Sequence, residues 1–182
     1  LNLTLSDIFS AFIKGHKSAI KKKYGELNYQ IFDYTNYEKN LIFEMMNLHY
    51  FVANRKTRSD QSWLLNEKMI LNKKGFLVKV TSKNQTISYS FFFHNHIDAV
   101  YFSSCTNREA FKFFNNISHK TIWKAIEYFK KIKCVSLSLG HTNTLFSDNK
   151  IISERSNIER FTASFGGNEQ IYIVYKKLPK NI

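Results

Sequence analysis

The side chains able to do chemistry are few and unevenly placed. Arg55 and Arg58 flank Lys56 in the stretch "ANRKTRSDQSW". A guanidinium is planar and always charged, and its fork matches phosphate or carboxylate, so the pair reads either as an anion clamp or as a solvated charged loop. His49 precedes them beside an apolar helical stripe, and Trp63 follows them. That indole is either core or a surface on which a base or sugar could stack. His119 falls in the first turn of a helix, where the dipole disfavours imidazolium and leaves a neutral proton acceptor at pH 7. It could equally cap that helix or fill a polar gap. His141 follows Gly140 at the end of a strand, and Tyr101 and Arg108 lie on and just after another. His94 and His96 straddle a turn with no carboxylate or thiol set nearby, so no metal site is expected. Cys105 and Cys134 are far apart and match no metal spacing, and read as buried, inert thiols ahead of a nucleophile or a disulfide.

The elements that must position these groups follow from periodicity. Leu5, Ile8, Phe9 and Phe12 recur at helical spacing after a Thr4–Asp7 capping box, and that helix is expected to run on through "KSAIKKK" to near Gly25. "LNYQIFDYT" alternates as a strand. Leu41, Met45, Leu48 and Val52 form one helical stripe, and "RSDQSWLLNEKMILNK" reads as a second helix capped by Ser59 or Asp60. After Lys74–Gly75 the period changes to two. "FLVKVTS", "TISYSFFFHN" and "IDAVYFSSC" are expected to form an antiparallel meander, with turns at Lys83–Asn84 and around Asn95. "SHKTIWKAIEYFKKIKC" returns to helix and "CVSLSLG" to strand. In the last stretch Ser156 and Glu159 suit a helix start, Ile158, Phe161 and Phe165 a buried stripe, and Gly166 a left-handed stop before the strand "EQIYIVYKK". The predicted class is α/β (α+β): a mixed, mostly antiparallel sheet flanked by helices, with residues 1–182 as one domain.

The chain of 182 residues carries 27 Lys+Arg against 14 Asp+Glu, a net charge of +13. Such a field favours an anionic partner: a nucleic acid, a nucleotide-linked substrate, coenzyme A or an acidic membrane surface. An AT-rich coding sequence scatters lysines to the same effect. No apolar run reaches the roughly 18–20 residues that span a bilayer. A cytoplasmic location is the expectation.

The order of elements resembles the GNAT acyltransferase fold, in which two neighbouring parallel strands splay and leave a cleft for an acyl donor. Here "IDAVYFSSC" and "CVSLSLG" would be that pair. The finer resemblance is to FemAB-like aminoacyl- and acyltransferases of bacterial envelope synthesis. Their C-terminal half begins with a basic helix, similar to "SAIKKK", and ends in I-x-x-F-K-x-x-F-G, similar to Ile158, Phe161, Phe165 and Gly166. Between these come Tyr101 with "SSC", Asn107–Arg108, His119 with "WKAI", and Gly140. Upstream, Leu48, His49, Arg55, Thr57, Arg58, Ser59 and Trp63 resemble the L-H-x-x-x-x-G-R-x-T-R-S-x-x-x-W run of one subgroup. Three positions depart: the family's lysine is Thr162, its glycine before the arginine is Asn54, and no Q/R-x-x-G-x-G/A phosphate loop precedes Ser118.

The resemblance implies an enzyme moving an acyl group from an activated donor to an amine of a cell-envelope or polysaccharide precursor. The donor stays open between acyl-CoA, acyl carrier protein and aminoacyl-tRNA, each a co-substrate with nothing tightly bound. His119, His141 and Tyr101 are the implied proton-transfer groups. His49, Arg55, Arg58, Trp63 and Thr162 are the implied contacts to an anionic or nucleotide-linked substrate, and Arg108, Ser118 and Lys120 those to the donor's phosphates. A homodimer is open. The competing readings are a basic RNA-binding domain and a degenerate, non-catalytic transferase domain.

Overall fold

The computed structural model describes residues 1–114, 116–140, 145–147, 150–152 and 157–168. Helix α1 (Leu5–Ala11) starts at the expected box: Thr4 Oγ1 accepts from the Asp7 N–H, and the Asp7 carboxylate accepts from the Thr4 N–H. It does not run on. Phe12 and Ile13 are extended, with ψ of 147° and 155°, and α2 (Lys14–Lys21) begins afresh. The break turns the Phe12 ring inward against Trp123 and Phe165, leaving it 3% exposed. Burying an aromatic ring outweighs continuing one surface helix.

Strand β1 (Leu27–Phe32) precedes α3 (Leu41–Ala53) and α4 (Asp60–Leu71). Asn54 closes α3 in the left-handed conformation, φ 51° and ψ 31°, taking the role of the glycine it replaces in the resembling motif. Ser59 caps α4 by accepting from the Ser62 N–H. Strands β2 (Gly75–Ser82), β3 (Gln85–His94) and β4 (Asp98–Thr106) form the expected meander. Lys83 and Asn84 both have positive φ, 47° and 66°, as a two-residue hairpin turn requires. A 3₁₀ turn (Arg108–Lys112), α5 (Ile117–Lys131), β5 (Ser136–Ser138), β6 (Leu145–Ser147), β7 (Lys150–Ile152) and α6 (Asn157–Ala163) complete the described elements.

One sheet runs β1-β2-β3-β4-β5, antiparallel except for the parallel β4–β5 pair. This is the mixed, mostly antiparallel architecture expected. The β6–β7 hairpin is a separate two-stranded sheet that the sequence reading did not foresee. The Ser156 cap and the last strand lie outside the described residues. One face of the main sheet packs Phe76, Val78 and Phe92 against Ala125 and Phe129 of α5. The other packs Leu77, Tyr89 and Phe91 against Leu41, Met45, Trp63 and Ile70 of α3 and α4. Phe12, Ile20, Ile122, Ile126 and Phe165 hold α1, α2 and α6 to the back of α5. Gly166 (φ 68°) is the stop for α6, and a Cβ there would lie 2.5 Å from the Ala11 carbonyl oxygen. The glycine thus lets the end of α6 seat on the end of α1.

Strand β4 carries the irregularity that matters. Phe91 pairs with Ser103 but Phe92 with Tyr101, so Phe102 is an extra residue, a β-bulge. On the other edge, β4 pairs with β5 only at Asp98–Ser136, Ala99–Leu137 and Val100–Ser138. Pairing with β5 therefore ends two residues before the bulge. From Tyr101 to Thr106 that edge of β4 has no strand partner among the described residues. The parallel pair splays, as expected.

Candidate active site

The splayed edge of β4 separates two groups of side chains. Tyr101 stacks on Phe92 at 5.1 Å on the α5 side, while Phe102 meets Phe91 and Phe93 on the α3–α4 side.

On the α3–α4 side the connection between the two helices builds a compact corner. The Arg58 guanidinium lies over the Trp63 ring at 5.3 Å and over the Phe102 ring at 4.8 Å. Trp63 Nε1–H donates to Tyr50 Oη (3.0 Å), which in turn donates to the Arg58 carbonyl (2.7 Å). His49 Nδ1 and Thr57 Oγ1 are 3.0 Å apart. The spacing of His49, Thr57, Arg58 and Trp63 now has a reason. Asn54 turns the chain back so that Thr57 returns beside His49, and Trp63 comes up one turn into α4 beneath Arg58. Two buried polar atoms, Arg58 Nη1 and Ser103 Oγ beside the bulge, have no hydrogen-bond partner among the described residues. Burial lowers the Arg58 pKa, so this cation is costly to hold unpaired. His49 is lowered too, first by burial and then by the charge of Arg58.

Trp63 is 0% exposed, which corrects the expectation that it contacts a ligand. It is a core residue that steadies Arg58 and Tyr50 from below. Arg55 is exposed, and Lys56 pairs with Asp60 at 2.8 Å, so of the three cations in this connection Arg58 alone enters the aromatic corner. Tyr50 and Phe102 were missed by sequence reading. The only signal for Phe102 was the run of adjacent aromatics in "VYFSSC", and Tyr50 carried none.

On the α5 side, His119 packs against His16 (ring centroids 4.4 Å apart) and Phe161 (4.9 Å), with Phe165 on His16 at 4.4 Å. His16 Nε2 lies 3.2 Å from the Phe161 carbonyl oxygen, while His119 Nδ1 is buried with no hydrogen-bond partner among the described residues. Burial, and then the neighbouring His16, push the His119 pKa down to about 4. The ring is neutral at pH 7, as the sequence suggested, but accepts a proton only weakly. Tyr101, packed beside this cluster, donates to Ser104 Oγ at 2.6 Å, and burial raises its pKa, keeping the phenol protonated.

The first turn of α5 carries Ser118 and Lys120, both half-buried, with the Lys120 ammonium over the Tyr29 ring at 5.2 Å. Asn116 gives this helix no side-chain cap and no acid lies in its first turn, so its leading N–H groups keep their pull on anions. Arg108 is exposed at the start of the 3₁₀ turn, and Thr162 is half-buried on α6 next to Phe161. His141 lies outside the described residues. Cys105 and Cys134 are buried free thiols, and burial pushes Cys105 up to about 12, far from nucleophilic thiolate. No group of three metal-ligating side chains occurs among the described residues, and no described helix is long and apolar enough to cross a membrane.

No protein-family profile matches this sequence, and no curated protein matches it either. Solved structures do. FemX superposes with a TM-score of 0.65 at 11% identity, covering 90% of this chain and 56% of FemX, so the chain spans little more than half the length of that protein. An aminoglycoside acetyltransferase from an uncultured soil metagenomic sample, in complex with sisomicin, gives 0.59 at 9% identity over 85% of this chain and 97% of that one. AAC(6')-Iy, in complex with the bisubstrate analogue CoA-S-monomethyl-acetylneamine, gives 0.52 at 11% identity over 84% and 98%. The fold is therefore that of the GNAT acyltransferases and of FemX.

Proposed function

We propose that this protein is a cytoplasmic N-acyltransferase or aminoacyltransferase that acylates an amine on an anionic precursor of the cell envelope or of a polysaccharide. The end of β4–β5 pairing at Val100, two residues before the Phe102 bulge, carries the reading, because an unpaired strand edge offers backbone amides to an acyl carbonyl. The solved structures of like fold include acetyltransferases, one of them with a coenzyme A bisubstrate analogue.

In this reading the amine nitrogen attacks the acyl carbonyl carbon while the edge amides of β4 hold the developing oxyanion. The C–N bond forms and the bond from the carbonyl to the donor's sulfur or oxygen breaks. His49 takes the amine proton: with Nδ1–H donated to Thr57 Oγ1, Nε2 is left as the acceptor. Tyr101, still protonated at pH 7, returns a proton to the departing thiolate or alkoxide. Arg58 binds the acceptor's phosphate or carboxylate, with Arg55 at the outer rim. The uncapped start of α5, with Ser118, Lys120 and Arg108, draws the donor's phosphates. Thr162 neighbours the acceptor, and His141, which follows Gly140 in the sequence, is a further candidate for proton transfer. His119 keeps the α5 wall in place instead of acting as the base.

Calorimetric titration with acetyl-CoA, longer acyl-CoAs, acylated carrier protein and aminoacyl-tRNA tests the proposal. One of these donors saturates, and an amino sugar phosphate then releases its free thiol or tRNA. Saturation by none of them contradicts the reading.

A further inference from the structure

A second surface lies away from the β4 edge, where α1 and α2 cross the outer face of α5. Leu5 and Phe9 of α1, Ile20 and Lys21 of α2, and Trp123 and Lys124 of α5 line an open groove of about 440 Å³ with an apolar floor and a basic rim. Lys21 also borders a neighbouring depression formed by Lys14, Lys17, Ser18 and Lys22 on α2 alone, so the cationic stripe and the groove are continuous. Acidic relief is scarce. Asp7 is engaged in the Thr4 cap, and Glu127 is paired with Lys124 at 2.8 Å. Beside the lysines, aliphatic side chains stand in solvent: Leu3 is 58% exposed, Leu5 36% and Ile13 51%. Ile13 directly precedes Lys14.

We infer that this α1–α2 hairpin is a docking surface for an anionic lipid bilayer. Lysines over a negatively charged leaflet, with aliphatic groups able to sink among the acyl chains, are the two elements of interfacial binding. A nucleic acid would leave Leu3, Leu5 and Ile13 uncovered. Phe9 and Trp123 already meet edge to face at 5.2 Å and lie in the groove floor. Lysine, a compact and strongly hydrated point charge, supplies all the positive charge of α2, which has no planar arginine for stacking on bases. Lys120 also lines this groove and is the one residue it shares with the proposed donor site, so the test substitutes lysines of the α2 stripe instead.

Flotation of the full chain with vesicles tests the inference, using phosphatidylcholine alone and phosphatidylcholine mixed with phosphatidylglycerol. The chain floats with the phosphatidylglycerol vesicles and stays behind with the neutral ones. Exchanging Lys14, Lys21 and Lys22 for glutamine weakens binding by on the order of a hundredfold, since each lysine contributes a factor of about five. The pair Lys14→Gln/Lys21→Gln tests the same charge if the triple variant does not fold. Leu3→Ser/Ile13→Ser weakens binding about tenfold through lost apolar burial. Equal binding to neutral vesicles overturns the inference. So does a Leu3→Ser/Ile13→Ser variant that floats like the wild type and is stripped from vesicles by duplex RNA, which would assign the surface to RNA.

Discussion

Two histidine-bearing regions flank β4, and they differ in what surrounds the imidazole. At the α3–α4 corner, His49 sits with Thr57 and the fixed cation of Arg58, whose Nη1 has no hydrogen-bond partner among the described residues. Behind α5, His119 sits with a second histidine and two phenylalanines. Burial lowers the pKa of both rings. Only the corner adds a fixed charge, with one buried guanidinium nitrogen that lacks a hydrogen-bond partner among the described residues. The difference is that the corner pairs its histidine with a cation over two aromatic rings, whereas the α5 side surrounds its histidine with aromatic and imidazole rings alone.

Four substitutions break or sharpen that contrast. The largest effect is expected at Arg58. Arg58→Lys keeps the charge but loses the plane held between Trp63 and Phe102, and kcat/KM falls on the order of a hundredfold, mostly through KM for the acceptor. Steady-state kinetics with varied acceptor check this, and wild-type values for the lysine variant would remove the anion site. Next is Gly166→Ala, which acts on the His119 side alone. Its Cβ meets the Ala11 carbonyl in a left-handed backbone, so stability drops by about 2 kcal/mol. That lowers Tm by about 6 °C, measurable by calorimetry.

The acid response comes third. An unfolded histidine titrates near 6.5, whereas His119 in the fold titrates at about 4. Between these values the unfolded chain binds more protons, so stability is complete above about pH 6.5 and drains away as the pH falls toward 4. His16 is lowered in the same direction by its burial. Thermal melts across this window are steeper in pH for the wild type than for His119→Phe. Identical profiles would mean that the pair is not held neutral. The smallest effect is expected from Trp63→Phe. It removes the bond from Nε1–H to Tyr50 Oη while keeping most of the ring, which costs about 1 kcal/mol of stability, read by calorimetry as a Tm lowered by about 3 °C.

Much of the fold was legible because its signals are local. The Thr4–Asp7 box, the Ser59 cap, the Lys83–Asn84 turn and the glycine stop at Gly166 each depend on a few adjacent residues, and each is present. The break at Phe12–Ile13 was not legible, because it is driven by Trp123 and Phe165, far away in sequence. The bulge was hidden for a similar reason. An unbroken strand would put Ala99, Tyr101 and Cys105 on one face, yet Ala99 and Tyr101 pack toward α5 and Cys105 toward α3. That phase change belongs to the pairing with β3, not to β4 alone. Of the candidate site, the motif around His49 and Arg58 marked residues that the fold does bring together. It did not show that Trp63 would be inside it or that Phe102 would close it from another strand.

The bulge itself offers the most direct test. Deleting Phe102 leaves Phe91–Ser103 and Phe92–Tyr101 as consecutive pairs and removes the extra residue, whereas Phe102→Ala keeps the bulge and loses only the ring. Donor binding is to be measured for both by calorimetry, with whichever of acetyl-CoA, acylated carrier protein or aminoacyl-tRNA saturates the wild type. The account predicts that Phe102→Ala binds donor like the wild type and that the deletion variant, folded but unbent, does not. A deletion variant that still binds donor at wild-type strength would contradict it.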